Sequence, residues 1–180
     1  VATSIAATVV TANAAAVVAG QSFTLTSLTD SFTGGAGDDV FTADNTAAAS
    51  ATSTADTLTG GVGTDALNIF SDGTADPTPN LNSVETINLY DQDEATFTTA
   101  TVTGLNTLNV LRGDGTTGVT VASGTAVNFN TITIGETNGA ADLLVTHAAA
   151  TTSATIGLDG VVGDGDATID EDVTIVGAGL

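Results

Sequence analysis

The pentapeptides DALNI (65–69), ETINL (85–89), NTLNV (106–110) and NTITI (130–134) follow one plan: polar, small, aliphatic, Asn or Thr, aliphatic. Their starts lie 20, 21 and 24 residues apart, and ATIGL (154–158) follows after another 24. DVTIV (172–176) is a looser copy. Alternating apolar and polar residues over so short a run predict a strand with one face buried. The segments between them, SDGTADPTPN, RGDGTTG, ETNGAAD and DGVVGDGD, are built from turn formers. One short strand and one turn per 20–25 residues is the mark of a stacked repeat, in which each unit buries its apolar face only against its neighbours. In such a stack like side chains sit above one another, and Asn68, Asn88 and Asn109 are placed to form a ladder. The expected fold is therefore all-β, a solenoid-like stack of short strands with Gly/Asp turns. A β-sandwich, in which hydrophobic–Thr alternation also recurs, is the alternative.

Further strands are expected at SFTLTSL (22–28), through Phe23 and Leu25, and at GVTVAS (118–123), through Val119 and Val121. The apolar residues are small. Hydrophobic residues make up 42% of the chain but aromatics only 4%, with no Trp, Met or Cys, so the core is expected to be Val, Ile, Leu and Ala. Residues 1–20 form a low-complexity Ala/Val/Thr segment, read as an extended arm and a possible intersubunit element. Residues 21–180 read as a single all-β domain, with a polar loop over 42–56.

Two stretches share a second pattern. DSFTGGAGDDVF (30–41) and DTLTGGVGTDALNIF (56–70) each contain G-G-x-G-x-D. Gly34, Gly35 and Gly37, and likewise Gly60, Gly61 and Gly63, permit turns with positive φ that aim backbone carbonyls at one point. Asp39 and Asp65 add carboxylates. Carbonyls mixed with carboxylates suit Ca²⁺, which takes six to eight oxygens, better than Mg²⁺ with its strict octahedron. Asp30 and Asp38 flank the first motif, and Asp44 and Asp56 lie in or beside the loop between the two. These four are candidates to complete the shell. The competing reading is a plain glycine turn with a solvated aspartate. The copies start 26 residues apart and no tandem run follows, so a full β-roll is not expected. A second candidate metal site is the D-x-D of Asp164 and Asp166 within GDGDATIDED, the alternative being a solvated acidic turn. It lacks the Glu and flanking helices of an EF-hand. DQDE (91–94) reads as a turn.

The charge balance narrows the partners. The chain carries 21 acidic residues against one basic residue, Arg112, for a formal net charge of −20. Salt bridges cannot relieve that repulsion, bound metal cations can, and nucleic acid phosphates would be repelled. Arg112 is expected to pair with a nearby carboxylate, and the RGD triplet at 112–114 is too short to carry a recognition argument. No apolar run is long enough for a transmembrane helix, and the first twenty residues lack the basic start of an intact secretory signal. A lone His147 without cysteine argues against a zinc site. No nucleophile elbow occurs, and one Tyr with no Trp is a poor lining for a sugar cleft, so no enzyme is expected.

The run LTDSFTGGAGDDVFTA, ADTLTGGVGTDALNI, NSVETINLYD, VTGLNTLNV resembles the repeated unit of RTX-type bacterial surface-layer proteins and related surface adhesins, over residues 22–135. The resemblance implies calcium at the turns containing Asp39 and Asp65, secretion from a Gram-negative cell, and assembly into a lattice on the cell surface. The chain departs from that family in lacking tandem RTX repeats and a recognisable anchoring domain, which suits a short self-assembling subunit of a filament. The expected function is thus a structural, calcium-binding homo-oligomer, lattice or filament, with cell-surface polysaccharide as a possible further partner. An adhesin module binding a host or matrix ligand is the alternative.

Overall fold

The computed structural model describes residues 18–47, 49–72, 76–90, 96–113, 117–134, 143–148, 153–163 and 173–177. The arm's residues 1–17 and the acidic stretches containing Asp91–Glu94, Asp114, Asp164, Asp166, Asp170 and Glu171 lie outside them. The described strands are β1 (Ser22–Thr24), β2 (Ser31–Thr33), β3 (Val40–Asp44), β4 (Thr57–Thr59), β5 (Ala66–Phe70), β6 (Asn80–Asn82), β7 (Thr86–Tyr90) and β8 (Thr96–Thr99). They continue with β9 (Thr107–Leu111), β10 (Thr117–Val121), β11 (Ala126–Asn130), β12 (Thr133–Ile134), β13 (Leu143–His147), β14 (Ile156–Asp159), β15 (Val162–Gly163) and β16 (Val173–Val176).

Among the described residues every strand pair is parallel. The main sheet runs β1-β3-β5-β7-β9-β11-β14, and β2-β4-β6, β8-β10-β13-β16 and β12-β15 form the other walls. This is a β-solenoid, and the parallel pairing rules out the sandwich. The register follows from the alternation in the sequence. In the main sheet Phe41, Leu67, Ile87, Leu108 and Val127 stand in one inward column and Ala43, Ile69, Leu89, Val110 and Phe129 in the next, each at most 1% exposed. A one-residue slip would turn both columns to solvent, so the apolar pattern locks the register.

On the outer face Asn88 donates to Asn68 at 2.8 Å, Asn109 to Asn88 at 2.7 Å and Asn128 to Asn109 at 2.9 Å. The expected ladder is present and one rung longer. That rung corrects the expectation for NTITI. The main sheet takes Ala126–Asn130, and Thr133–Ile134 form the short β12 instead. The reason lies in the side chains. Val127 and Phe129 enter the core with Asn128 between them, so TAVNF (125–129) fills the same plan with an aromatic in the last place. The ladder stops at the next strand, where Gly157 pairs with Asn128 and leaves no room for a side chain. Beside the ladder Phe70 stacks on Tyr90 with ring centroids 4.8 Å apart, and the Arg112 guanidinium lies 5.4 Å from the Tyr90 centroid.

Asn88 both donates and accepts within the ladder, whereas Asn68 only accepts from Asn88. Asn88→Ala should cost about 1–3 kcal/mol, because it leaves two half-buried amide groups without partners. Asn68→Ala should cost about half as much by urea denaturation, and equal losses would show that the ladder contributes little.

Candidate functional site: the stacked glycine–aspartate corner

The two G-G-x-G-x-D motifs, separated in the chain, lie directly on one another. Ser31 pairs with Thr57, Ala36 bridges Val62, and Val40 pairs with Ala66, a constant offset of 26 residues. Backbone bonds tie turn to turn: Gly34 N–H to the Thr59 carbonyl (2.7 Å), Val62 N–H to Gly35 (2.9 Å) and Gly37 N–H to Val62 (2.8 Å). The expected 42–56 loop is shorter, because Thr42–Asp44 belong to β3, and residues 45–56 absorb the extra chain between the motifs. This close approach explains the glycines. A methyl group on Gly61 would strike the Gly35 carbonyl, and one on Gly63 the Gly37 carbonyl; both residues also have positive φ, 113° and 148°.

The carboxylates form a staircase across the same corner. Asp39 accepts the Gln21 N–H at Oδ1 (2.6 Å) and the Gly35 N–H at Oδ2 (2.7 Å). The Asp39 N–H donates to Asp65 Oδ1 at 2.7 Å, and the Asp65 N–H donates to Glu85 Oε2 at 2.9 Å. Asp38 Oδ1 accepts the Thr64 N–H at 2.8 Å. Glu85 is a member that reading the glycine motifs alone misses. Its signal was available in the alignment of ETINL under DALNI, which places Glu85 on the column of Asp65.

The other expected ligands occupy different places. Asp30 and Asp56 meet where β2 and β4 begin: the Asp30 N–H donates to Asp56 Oδ1 (2.9 Å), and Asp56 Oδ2 accepts the Ser53 N–H (2.7 Å). The Asp30 carboxylate caps Thr26 N–H at 2.7 Å. Asp44 closes β3 and is exposed; hydrogen bonds from the Thr46 hydroxyl and N–H hold its carboxyl below the usual range. The structure thus gathers Asp38, Asp39, Asp65 and the six glycines at one corner, and leaves Asp30, Asp56 and Asp44 outside it.

Against the demands of calcium this corner fits only in part. Among the described residues no three His, Cys, Asp or Glu side chains converge on a point. Asp39 has an N–H on each oxygen. Asp65 differs: its Oδ2 is buried and has no hydrogen-bond partner. That oxygen and the Ser83 carbonyl both border the space a Gly60 side chain would fill. The second turn therefore holds one carboxylate oxygen and one carbonyl for a cation, and water would have to supply the remaining ligands. Burial, above all, pushes the Asp65 carboxyl above its ordinary value, and the neighbouring Glu85, Asp39 and Asp38 carboxylates add to the rise.

A carboxyl with a raised folded value binds its proton more tightly when folded. Its charge opposes folding at neutral pH, and that cost fades as the pH falls through the folded value, disappearing below the unfolded value near 3.8. Asp65→Asn keeps the Oδ1 acceptor and removes the charge. Its urea midpoint should match or exceed that of the parent at pH about 7, with the difference closing toward pH about 4. A variant markedly less stable than the parent at neutral pH would show that the charge is compensated in solution. Compared with known protein families, curated proteins and solved structures, the chain matches none.

Proposed function

We propose that this chain is a structural, self-assembling subunit of a bacterial surface layer or surface filament, exported from the cell, responsive to calcium and without catalytic activity. The observation that carries the reading is the exposure of the last described rung. Among the described residues, β14, β15 and β16 are the last strands of their sheets. Leu158, Val162, Val173, Ile175 and Val176 are 40–55% exposed there, although Phe129, Leu143 and Val145, which stand in register with Leu158, Val173 and Ile175 on the preceding strands, are at most 1% exposed. An open edge with apolar columns pointing along the axis is a template for another strand. Strand addition by the arm at residues 1–20 of a neighbouring copy would extend the stack.

Calcium enters this reading in two ways. The orphaned Asp65 Oδ2 supports local binding. The net charge of −20 supports a wider need, because copies of so acidic a chain repel one another unless cations gather between them. An adhesin would instead remain a monomer and bind a carbohydrate or protein ligand.

Light scattering during a calcium titration, with magnesium and chelator controls, tests the proposal. Growth to large particles with calcium alone is the expected result, and deletion of residues 1–20 should leave a folded monomer. A folded monomer at every calcium concentration would reject assembly and favour the adhesin. Equal assembly in chelator would remove calcium from the mechanism.

A further inference from the structure

A second buried carboxylate lies outside the glycine–aspartate corner. Asp76 follows β5 in the run Ser71-Asp72-Gly73-Thr74-Ala75-Asp76 and precedes Pro77. Its environment is a closed polar cluster: Asn45, Thr52, Ser71 and Asp76 are only 3%, 2%, 3% and 7% exposed. Asn45 organises it. Its Nδ2 donates to Asp76 Oδ1 at 2.6 Å and to Thr52 Oγ1 at 2.8 Å, while its Oδ1 accepts the Ala51 and Thr52 N–H groups at 2.8 and 3.0 Å. Asn45 has therefore no further donor for Asp76. The Ser71 side chain is within hydrogen-bonding reach of the same carboxyl, yet Asp76 Oδ2 is buried without a partner.

The electrostatics sharpen the problem. Burial pushes the Asp76 carboxyl up, the Ser71 and Asn45 hydrogen bonds offset part of that, and the nearby Asp72 carboxylate pushes it up again. No positive group is among these influences. An unpaired buried carboxylate is costly, and a cation removes the cost. The available donors are all hard oxygens, two carboxylates and a hydroxyl, with no imidazole or thiolate. That set selects a calcium-like ion over zinc or copper, and over magnesium, which sheds its waters reluctantly.

We infer that Asp76 Oδ2, with the neighbouring Asp72 carboxylate and Ser71 hydroxyl, forms a divalent-cation site of the calcium class, separate from the glycine–aspartate turns and independent of assembly. Its cation would tie the end of β5 to the Asn45–Thr52 loop, since the Asn45 N–H also bonds the Phe70 carbonyl at 2.8 Å.

The test is calorimetric titration of the full chain, stripped with chelator, with calcium chloride and with magnesium chloride, alongside thermal melting. Asp65→Asn should keep a calcium site and a calcium-dependent rise in Tm, and Asp76→Asn added to that variant should lose both. Asp72→Asn and Ser71→Ala should weaken calcium binding, by about tenfold or more for Asp72→Asn. If Asp76→Asn fails to fold, these two variants carry the test. The site is rejected if Asp72→Asn and Ser71→Ala bind calcium like the parent. It is also rejected if Asp65→Asn alone abolishes binding, or if magnesium matches calcium, which would indicate screening of the net charge. Particle size, read on the same samples, reports on assembly separately.

Discussion

Parallel, in-register pairing of one rung on the next is the constraint from which the other features follow. It places position upon position, so any residue type repeated along the chain becomes a column in space. Inward, the repetition makes apolar columns from Phe41 to Val127 and from Ala43 to Phe129. Outward, it makes the amide ladder of Asn68, Asn88, Asn109 and Asn128. At the corner it makes the carboxylate staircase of Asp39, Asp65 and Glu85. A solenoid unit has no core of its own, so each of these columns stabilises its neighbours rather than itself.

The acidic composition takes on a structural meaning in this frame. Carboxylates of Asp30, Asp38, Asp39, Asp56, Asp65 and Glu85 all accept backbone N–H groups, and most of these bonds reach from one rung to another. Short acidic side chains thus serve as caps that satisfy backbone donors at corners where no strand continues. Among the described residues two carboxylate oxygens stand apart from this scheme, Asp65 Oδ2 and Asp76 Oδ2, both buried and without hydrogen-bond partners. There the fold buries a carboxylate oxygen that it does not itself hydrogen-bond.

Much of this was legible in the residues. The pentapeptide plan announced the main strands and the amide ladder, because burial on one face demands strict alternation. Two features obscured the rest. Phe129 broke the aliphatic pattern and let NTITI stand in for the true rung, since Thr133–Ile134 alternate just as well but lie beyond the strand. The 26-residue separation of the glycine motifs suggested isolated turns, whereas loops of unequal length bring them together. Asp76 carried no signal at all. In SDGTADPTPN it reads as an ordinary turn residue, and only the approach of Asn45, 31 positions earlier, makes it a buried group.

What the amino-acid sequence determined by itself was local and periodic: short strands, their inward and outward faces, the glycines that let backbones touch, and a charge only cations can balance. Each of these depends on neighbours a few residues away or on composition. The tertiary structure decided which rung follows which, and hence whether a carboxylate oxygen meets a backbone N–H or nothing. That outcome turns on distances of about 3 Å between residues 26 or 31 positions apart, as between Asp39 and Asp65 or Asn45 and Asp76. Spacing along the chain does not encode such distances when the loops between rungs vary in length.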